Sequence, residues 1–283
     1  MKAKLFICAM VGLMTFSSLS LAQQIQMPQA SPQAINTQKV GLTDVKVEYS
    51  RPSTKGRKIF GELVPFGQVW RTGANAATIV TFSTDVKVEG NDVSKGSYAL
   101  YSIPDKNEWT FILSSNTKLW GSTGYDPSED AVRFKVKPGK TGNKYETMEI
   151  SFVDITDTGA SLMTKWENTS AKFRIETDVE PIVMKQIQEM VIDKEADNPG
   201  LYYQAADYYF KNGKDMNQAL VWINKSVEED PKFWTMHLKA KIEQQLGKKK
   251  EAIASANKSM EMAREAKNMD YVGLNERLIK SIK

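Results

Sequence analysis

The chain has 283 residues, with 38 Lys and Arg against 34 Asp and Glu and a formal net charge of +4. That balance excludes a polyelectrolyte and does not supply the basic face of a nucleic-acid binder, so no nucleic-acid partner is expected. A single cysteine, Cys8, and a single histidine, His237, exclude internal disulfides and cysteine-histidine metal clusters, and leave no histidine for a catalytic triad in the first half.

The opening MKAKLFICAMVGLMTFSSLSLA reads as a secretory signal over residues 1–22. Lys2 and Lys4 form its charged start. Leu5 to Phe16 is an apolar run too short to span a bilayer, and Ser20-Leu21-Ala22 is a small-x-small cleavage site. The mature protein is expected to start at Gln23, to be periplasmic or secreted, and to hold no thiol. No later apolar run approaches ~18 residues, so no membrane span is expected after the signal is removed. Residues 23–39, rich in Gln, Ala, Ser and Pro, read as a flexible leader.

Over residues 40–178 the side-chain period is two. Val45, Val47 and Tyr49 alternate along Asp44–Ser50, and Thr78–Ser83 and Val86–Glu89 are short β-branched runs. Further strands are predicted at Ser97–Ile103, at Glu108–Ser114 with Trp109, Phe111 and Leu113 on one face, and around Phe134, Ile150, Trp166 and Phe173. Turn pairs such as Pro104-Asp105, Pro138-Gly139 and Thr158-Gly159 separate them. One wet face per strand implies antiparallel pairing, and about nine such strands predict an antiparallel β-sandwich or jelly-roll-like domain.

Near Val179 the period changes to that of helices, and residues 179–283 form the second domain. Predicted helices run from Pro181 to near Ala196 and over Leu201–Asn212, Asp215–Glu229, Lys232–Leu246, Lys248–Lys267 and Tyr271–Ile282. Gly213 and Gly247 are 34 residues apart and Ala219 and Ala252 are 33 apart, a spacing like that of tetratricopeptide repeats. The last helix would be a cap. An ordinary bundle of five or six helices is the alternative, because Glu243 and Ala256 stand where that repeat usually has large apolar residues.

Chemistry-bearing residues concentrate in VEYSRPSTKGRKIFGELVPFGQVWRTGAN, from Val47 to Asn75. Arg51, Arg57 and Arg71 are planar donors suited to carboxylate or phosphate, and with Lys55 they would ring an anion. Tyr49 and Trp70 offer stacking faces, and Ser50 and Asn75 neutral hydrogen bonds. The other reading has these cations clamping a long loop to the sandwich. In GYDPSED, Asp126, Glu129 and Asp130 lack the alternation and bidentate partner of a calcium loop and read as a solvated loop. There is no GxSxG, Walker or Rossmann fingerprint, so neither metal nor cofactor is expected and no catalytic residue is assigned. His237, beside Met236 and Leu238 on a predicted helix, reads as a packing or surface residue.

The segments YSRP, KGR-IFG-LVPFG-VWR-GAN-AT, GSYALYSIP, EWTFILSS and WGSTGYDPSEDAVRFKVKP, spanning about Val40 to Asp178, resemble secreted bacterial proteins that share domain of unknown function 2911. The resemblance implies a β-rich extracytoplasmic domain in a Gram-negative envelope, to which tetratricopeptide-like regions are also attached. It brings no activity and no catalytic residue. Three readings follow. The first is a binding or scaffolding protein with a small anionic or glycan ligand on the β domain and a protein or peptide partner on the helical repeats. The second is a hydrolase of envelope polymers using a carboxylate pair such as Asp126 and Glu129. The third is a structural spacer.

Overall fold

A computed structural model describes residues 27–194 and 196–282. The expected signal over 1–22, its cleavage site and the first residues of the expected leader lie outside the described residues. Ten strands come first: β1 (Gln33–Val40), β2 (Thr43–Ser50), β3 (Thr78–Phe82), β4 (Val86–Val88), β5 (Asn91–Val93), β6 (Gly96–Ile103), β7 (Trp109–Ser114), β8 (Asp130–Val136), β9 (Gly139–Thr156) and β10 (Gly159–Glu176). Six α-helices follow: α1 (Glu180–Ile187), α2 (Pro199–Lys211), α3 (Met216–Glu229), α4 (Phe233–Gln245), α5 (Lys249–Glu265) and α6 (Met269–Ile282).

The strands form two antiparallel sheets, in the orders β1-β2-β3-β6-β7-β8 and β5-β4-β10-β9. This is the β-then-α arrangement that the change of period predicts. Alternation explains how the sheets meet. Val45, Val47 and Tyr49 of β2, Trp109, Phe111 and Leu113 of β7, Met148 and Ile150 of β9, and Leu162, Trp166 and Phe173 of β10 share one buried core.

Four expectations need correction. The flexible leader does not extend to residue 39, because Gln33–Val40 pairs along its whole length with β2, from Gln33 opposite Ser50 to Val40 opposite Thr43. Its inward face is Ala34, Asn36, Gln38 and Val40, while Ile35 points out and is 57% exposed, so the apolar pattern that marks a strand is inverted. Asn36 donates to the Ile150 carbonyl of the facing sheet, which is what an inward amide needs. Second, β6 and β7 are not wet on one face. Ala99, Tyr101 and Ile112 form a separate buried cluster on the outer face, covered by Val69, Leu119 and Tyr125. Third, the runs around Trp166 and Phe173 belong to one 18-residue strand, β10, and the turn at Glu89-Gly90-Asn91 opens a small extra strand, β5. Fourth, α1 passes into a π-turn over Gln188–Ile192 and so stops short of Ala196.

The helices begin where their caps allow. The Asn198 side chain accepts from Gly200 N at 2.8 Å with Pro199 in the first turn, and Asp215 accepts from Asn217 N at 2.8 Å and Gln218 N at 3.2 Å. Tyr202, Ala206, Ala219, Trp222, Ile223 and Leu238 form one helical core. Ala240, Ala252 and Ala256 let α4 and α5 approach closely beneath Leu278 and Ile282 of α6. No helix among the described residues is long and apolar enough to cross a membrane. His237 is half-buried on α4, with Nδ1 2.8 Å from Asn275 Oδ1, and burial holds its pKa below the usual imidazole value. Asn275 in turn donates to Ser259 Oγ and the Tyr271 carbonyl, both at 2.8 Å, so the histidine belongs to a packing network.

Candidate functional site

The excursion between β2 and β3 is stitched down rather than free. Thr54 N donates to the Glu146 carbonyl at 2.7 Å, Gly67 N to the Pro104 carbonyl at 2.9 Å, and Trp70 and Ser102 exchange both backbone hydrogen bonds at 2.8 Å. Ile59, Phe60 and Val64 enter the sandwich core, so the stretch closes one end of it.

The side chains singled out there separate into distinct environments. Tyr49 is 3% exposed, and its hydroxyl accepts from Ile150 N at 2.9 Å and donates to Ile150 O at 3.2 Å. That bond ties β2 to the opposite sheet, and burial raises the phenol's pKa. Arg51 Nε donates to the Met148 carbonyl at 2.9 Å. Arg57 donates to the carbonyls of Thr54 and Ser53, both at 2.8 Å. Lys55 contributes its backbone N–H, 2.8 Å from Glu146 Oε1, and the Thr54 hydroxyl donates to the other Glu146 oxygen. Those two bonds, the hydroxyl first, hold the Glu146 carboxyl below the usual carboxylate range. Asn75 Nδ2 donates to Ser50 Oγ at 3.2 Å and to the Ser31 carbonyl at 3.3 Å. Trp70 donates Nε1 to the Gly73 carbonyl at 3.0 Å, and its ring stacks on Trp166 at 5.9 Å. The bonded groups among the arginines and the lysine each meet a different acceptor within the protein. Arg51, Arg57 and the backbone of Lys55 clamp the excursion against β9 and itself, Tyr49 is core, Trp70 packs half-buried against it, and Ser50 and Asn75 meet beside β1. Among these side chains Arg71 keeps a buried unsatisfied atom, its Nε having no partner.

The acidic loop is likewise occupied with itself. Asp126 accepts from Ser128 N at 2.9 Å, which lowers its pKa, and both Glu129 oxygens accept from Asn116 Nδ2 at 3.0–3.1 Å. Asp130 accepts from the Tyr125 hydroxyl at 2.8 Å and from Arg133 Nη2 at 2.9 Å. Burial and then Asp130 push the Tyr125 phenol up to about 12. Carboxylates turned to three different partners offer neither a calcium cage nor an acid-and-nucleophile pair. Among the described residues no group of three His, Cys, Asp or Glu side chains is set to hold a metal ion.

A broad concave feature lies where sandwich and helices meet, and single-stretch reading misses it. A cleft of about 990 Å³ is walled by β4, β5, the β9–β10 turn and the end of β10 on one side, and by α1 and α2 on the other. Seven carboxylates line it: Asp85, Asp92, Asp157, Glu176, Asp178, Glu180 and Asp207. Only two ammonium groups do, Lys87 and Lys211, and each is paired, with Asp92 at 2.5 Å and Asp207 at 2.6 Å. Glu180 is held by Lys214. Asp157 and Asp178 are exposed and, among the described residues, carry neither hydrogen bond nor ion pair. Tyr203 and Tyr208 supply aromatic wall, and burial raises both phenol pKa values. The signal for this site in the sequence is Glu176, Asp178 and Glu180, alternating acids astride the change of period. The other acids come from segments up to 95 residues earlier and 27 later, and only the fold unites them.

No curated protein and no solved structure matches the chain. Residues 31–175, just over half of it, match the family described as protein of unknown function DUF2911. The match opens just before β1, on the strand wrongly read as leader, and closes one residue before the end of β10, leaving the helices outside. On that extent of similarity, the chain belongs to the DUF2911 family.

Proposed function

We propose that this is an exported binding module, periplasmic or secreted, whose interdomain cleft takes a cationic extended polypeptide segment. The observation that carries this reading is electrostatic. On a chain of net +4, the lining of one cleft of about 990 Å³ collects seven carboxylates against two ammonium groups, and with Lys214 on Glu180 and Arg174 on Glu176 also counted the local formal balance is −3. Low-dielectric walls concentrate such a field and draw in ligands of opposite charge. Domain junctions are favoured ligand sites, and aromatic walls add contact area to a charged groove. The two unpaired carboxylates, Asp157 and Asp178, are the groups a ligand's Lys or Arg would meet first. Export rests on the signal read over residues 1–22. A tetratricopeptide-like role for the helices is supported by the recurrence of Gly213 and Gly247 at the turns after α2 and α4, and such stacks present grooves to peptides.

The test is calorimetric titration of the full chain with a Lys/Arg-rich 12-residue peptide and its Glu-rich counterpart, at low and high salt. Expected are binding of the basic peptide only, weakening with salt as partly exposed ion pairs are screened, and a loss of at least about tenfold in the Asp157→Asn, Asp178→Asn double variant. Equal binding of the acidic peptide, or an unaffected double variant, overturns the reading.

A further inference from the structure

We infer that Arg71 and Trp120 form an oxyanion site on the outer face of the β body, taking the carboxylate or phosphate of a small ring-bearing ligand such as an acidic sugar. This site is separate from the acidic cleft and opposite to it in charge. Five arginines belong to the β body. Arg51, Arg57, Arg133 and Arg174 all donate hydrogen bonds within the protein. The Arg71 side chain has neither hydrogen bond nor ion pair among the described residues, yet it is partly covered and its Nε fully so. Only the Nε is buried without a partner; the two Nη groups are not, and it is these that an anion from outside can meet, in a fork that no protein acceptor already fills.

The surroundings hold this group in place. The guanidinium lies against Gly121, whose φ is +77°, and a Cβ there would come 2.8 Å from Arg71 Nη1. Any larger residue would displace the fork. The Gly121 carbonyl accepts from the buried Tyr101 hydroxyl at 3.4 Å. On the other side, Thr72 has φ +50°, a genuine outlier for a β-branched residue. It is fully buried and fixed there by Ser102 Oγ at 2.9 Å and by the Thr78 hydroxyl, which donates to its carbonyl at 2.8 Å. Strain kept by several bonds beside one unsatisfied cation is the pattern of a preorganised ligand clamp.

No internal anion competes, since Asp126, Glu129 and Asp130 in the neighbouring loop already have their own donors. Trp120 precedes Gly121, is bridged to Ala76, and is 73% exposed, more than any other large aromatic among the described residues. An exposed tryptophan one residue from the glycine that the guanidinium fork rests against suits a ring carrying an anionic group: the fork takes the oxygens and the indole the ring face.

The full chain is titrated with glucuronate, glucose 6-phosphate, glucose and inorganic phosphate, followed by calorimetry. At least one of the two charged sugars should bind ten times or more tighter than both glucose and inorganic phosphate. Arg71→Met should abolish that preference, and Trp120→Ala should reduce sugar-acid binding to the level of the bare anion. Which charged sugar wins separates a carboxylate source from a phosphate source. Binding of none of the four, glucose binding as well as its acids, inorganic phosphate binding as well as the sugars, or an unaffected Arg71→Met variant overturns the inference. A second measurement guards against a folding artefact. Without ligand, Arg71→Met should melt at or above the wild-type temperature, because it removes an unsatisfied cation. A fall of more than about 5 °C would make Arg71 a structural clamp and overturn the site. The cleft variants should leave these titrations unchanged.

Discussion

Tyr49 shows how one atom can decide between ligand contact and scaffold. Its ring is as suited to stacking as any in the sequence, but its hydroxyl satisfies both backbone groups of Ile150, so the two sheets meet through it. Tyr49→Phe leaves a buried N–H and a buried carbonyl with one partner fewer. The expected loss is about 1–3 kcal/mol in urea unfolding, with ligand binding at Arg71 unchanged. A variant as stable as wild type would mean that the bond contributes little. Arg51 and Arg57 teach the same lesson. Charged side chains crowded into a turn-rich stretch are as readily used on local carbonyls as on a ligand, and residue type alone does not distinguish the two uses.

Among the elements, α4 carries the clearest departure from what packing asks. Glu243 is buried between α4 and α5, its nearest cation is Lys239 at 3.9 Å, and its Oε2 has no partner. Burial raises its pKa above the ordinary carboxyl value, near 4.5. A raised folded pKa means that folding favours the protonated form, so this contribution is complete below pH 4.5 and is lost as pH rises through the folded pKa. At neutral pH the residue is therefore a burden. Glu243→Leu, which restores the apolar residue expected there from the repeat spacing, should stabilise the helical region at pH 7 by about 1–3 kcal/mol. It should also flatten the stability change between mild acid and neutral pH. A variant less stable at pH 7 would show instead that the carboxylate is needed where it lies. Strand β1 makes the complementary point. It is held by its full pairing with β2 rather than by an apolar stripe of its own, which is why its own sequence reads as leader.

At the level of the whole molecule, the junction between sandwich and helices decides whether the cleft exists. Gly41 sits in the β1–β2 turn at φ +56°, and a Cβ there would come 2.7 Å from Val179 Cγ2 and overlap Thr177 Oγ1. Thr177 N donates to the Thr158 carbonyl at 2.8 Å, completing a tie between the linker and the β9–β10 turn. Gly41→Ala adds left-handed strain to that overlap, a cost of roughly 2 kcal/mol or more. The expected result is faster amide exchange from Thr177 to Val183 and weaker binding of the basic peptide, with exchange in β7 unchanged. Uniform exchange across the molecule would show that Gly41 does not govern the junction.

The sequence by itself determined the division into a β body and a helical tail, because a side-chain period of two or 3.6 is written into consecutive residues. It also located most strands, every helix and the family signature. Only the tertiary structure decided that β1 is a strand, that β6 and β7 are covered on both faces, and that eight promising side chains go to different tasks. Some of those facts depend on partners roughly 100 residues away, such as Ile150 for Tyr49 and Met148 for Arg51, and β1 depends on its pairing with β2. The acidic cleft is the extreme case: carboxylates unremarkable in their own segments become one field only when a turn, two strand ends and two helices close around the same space.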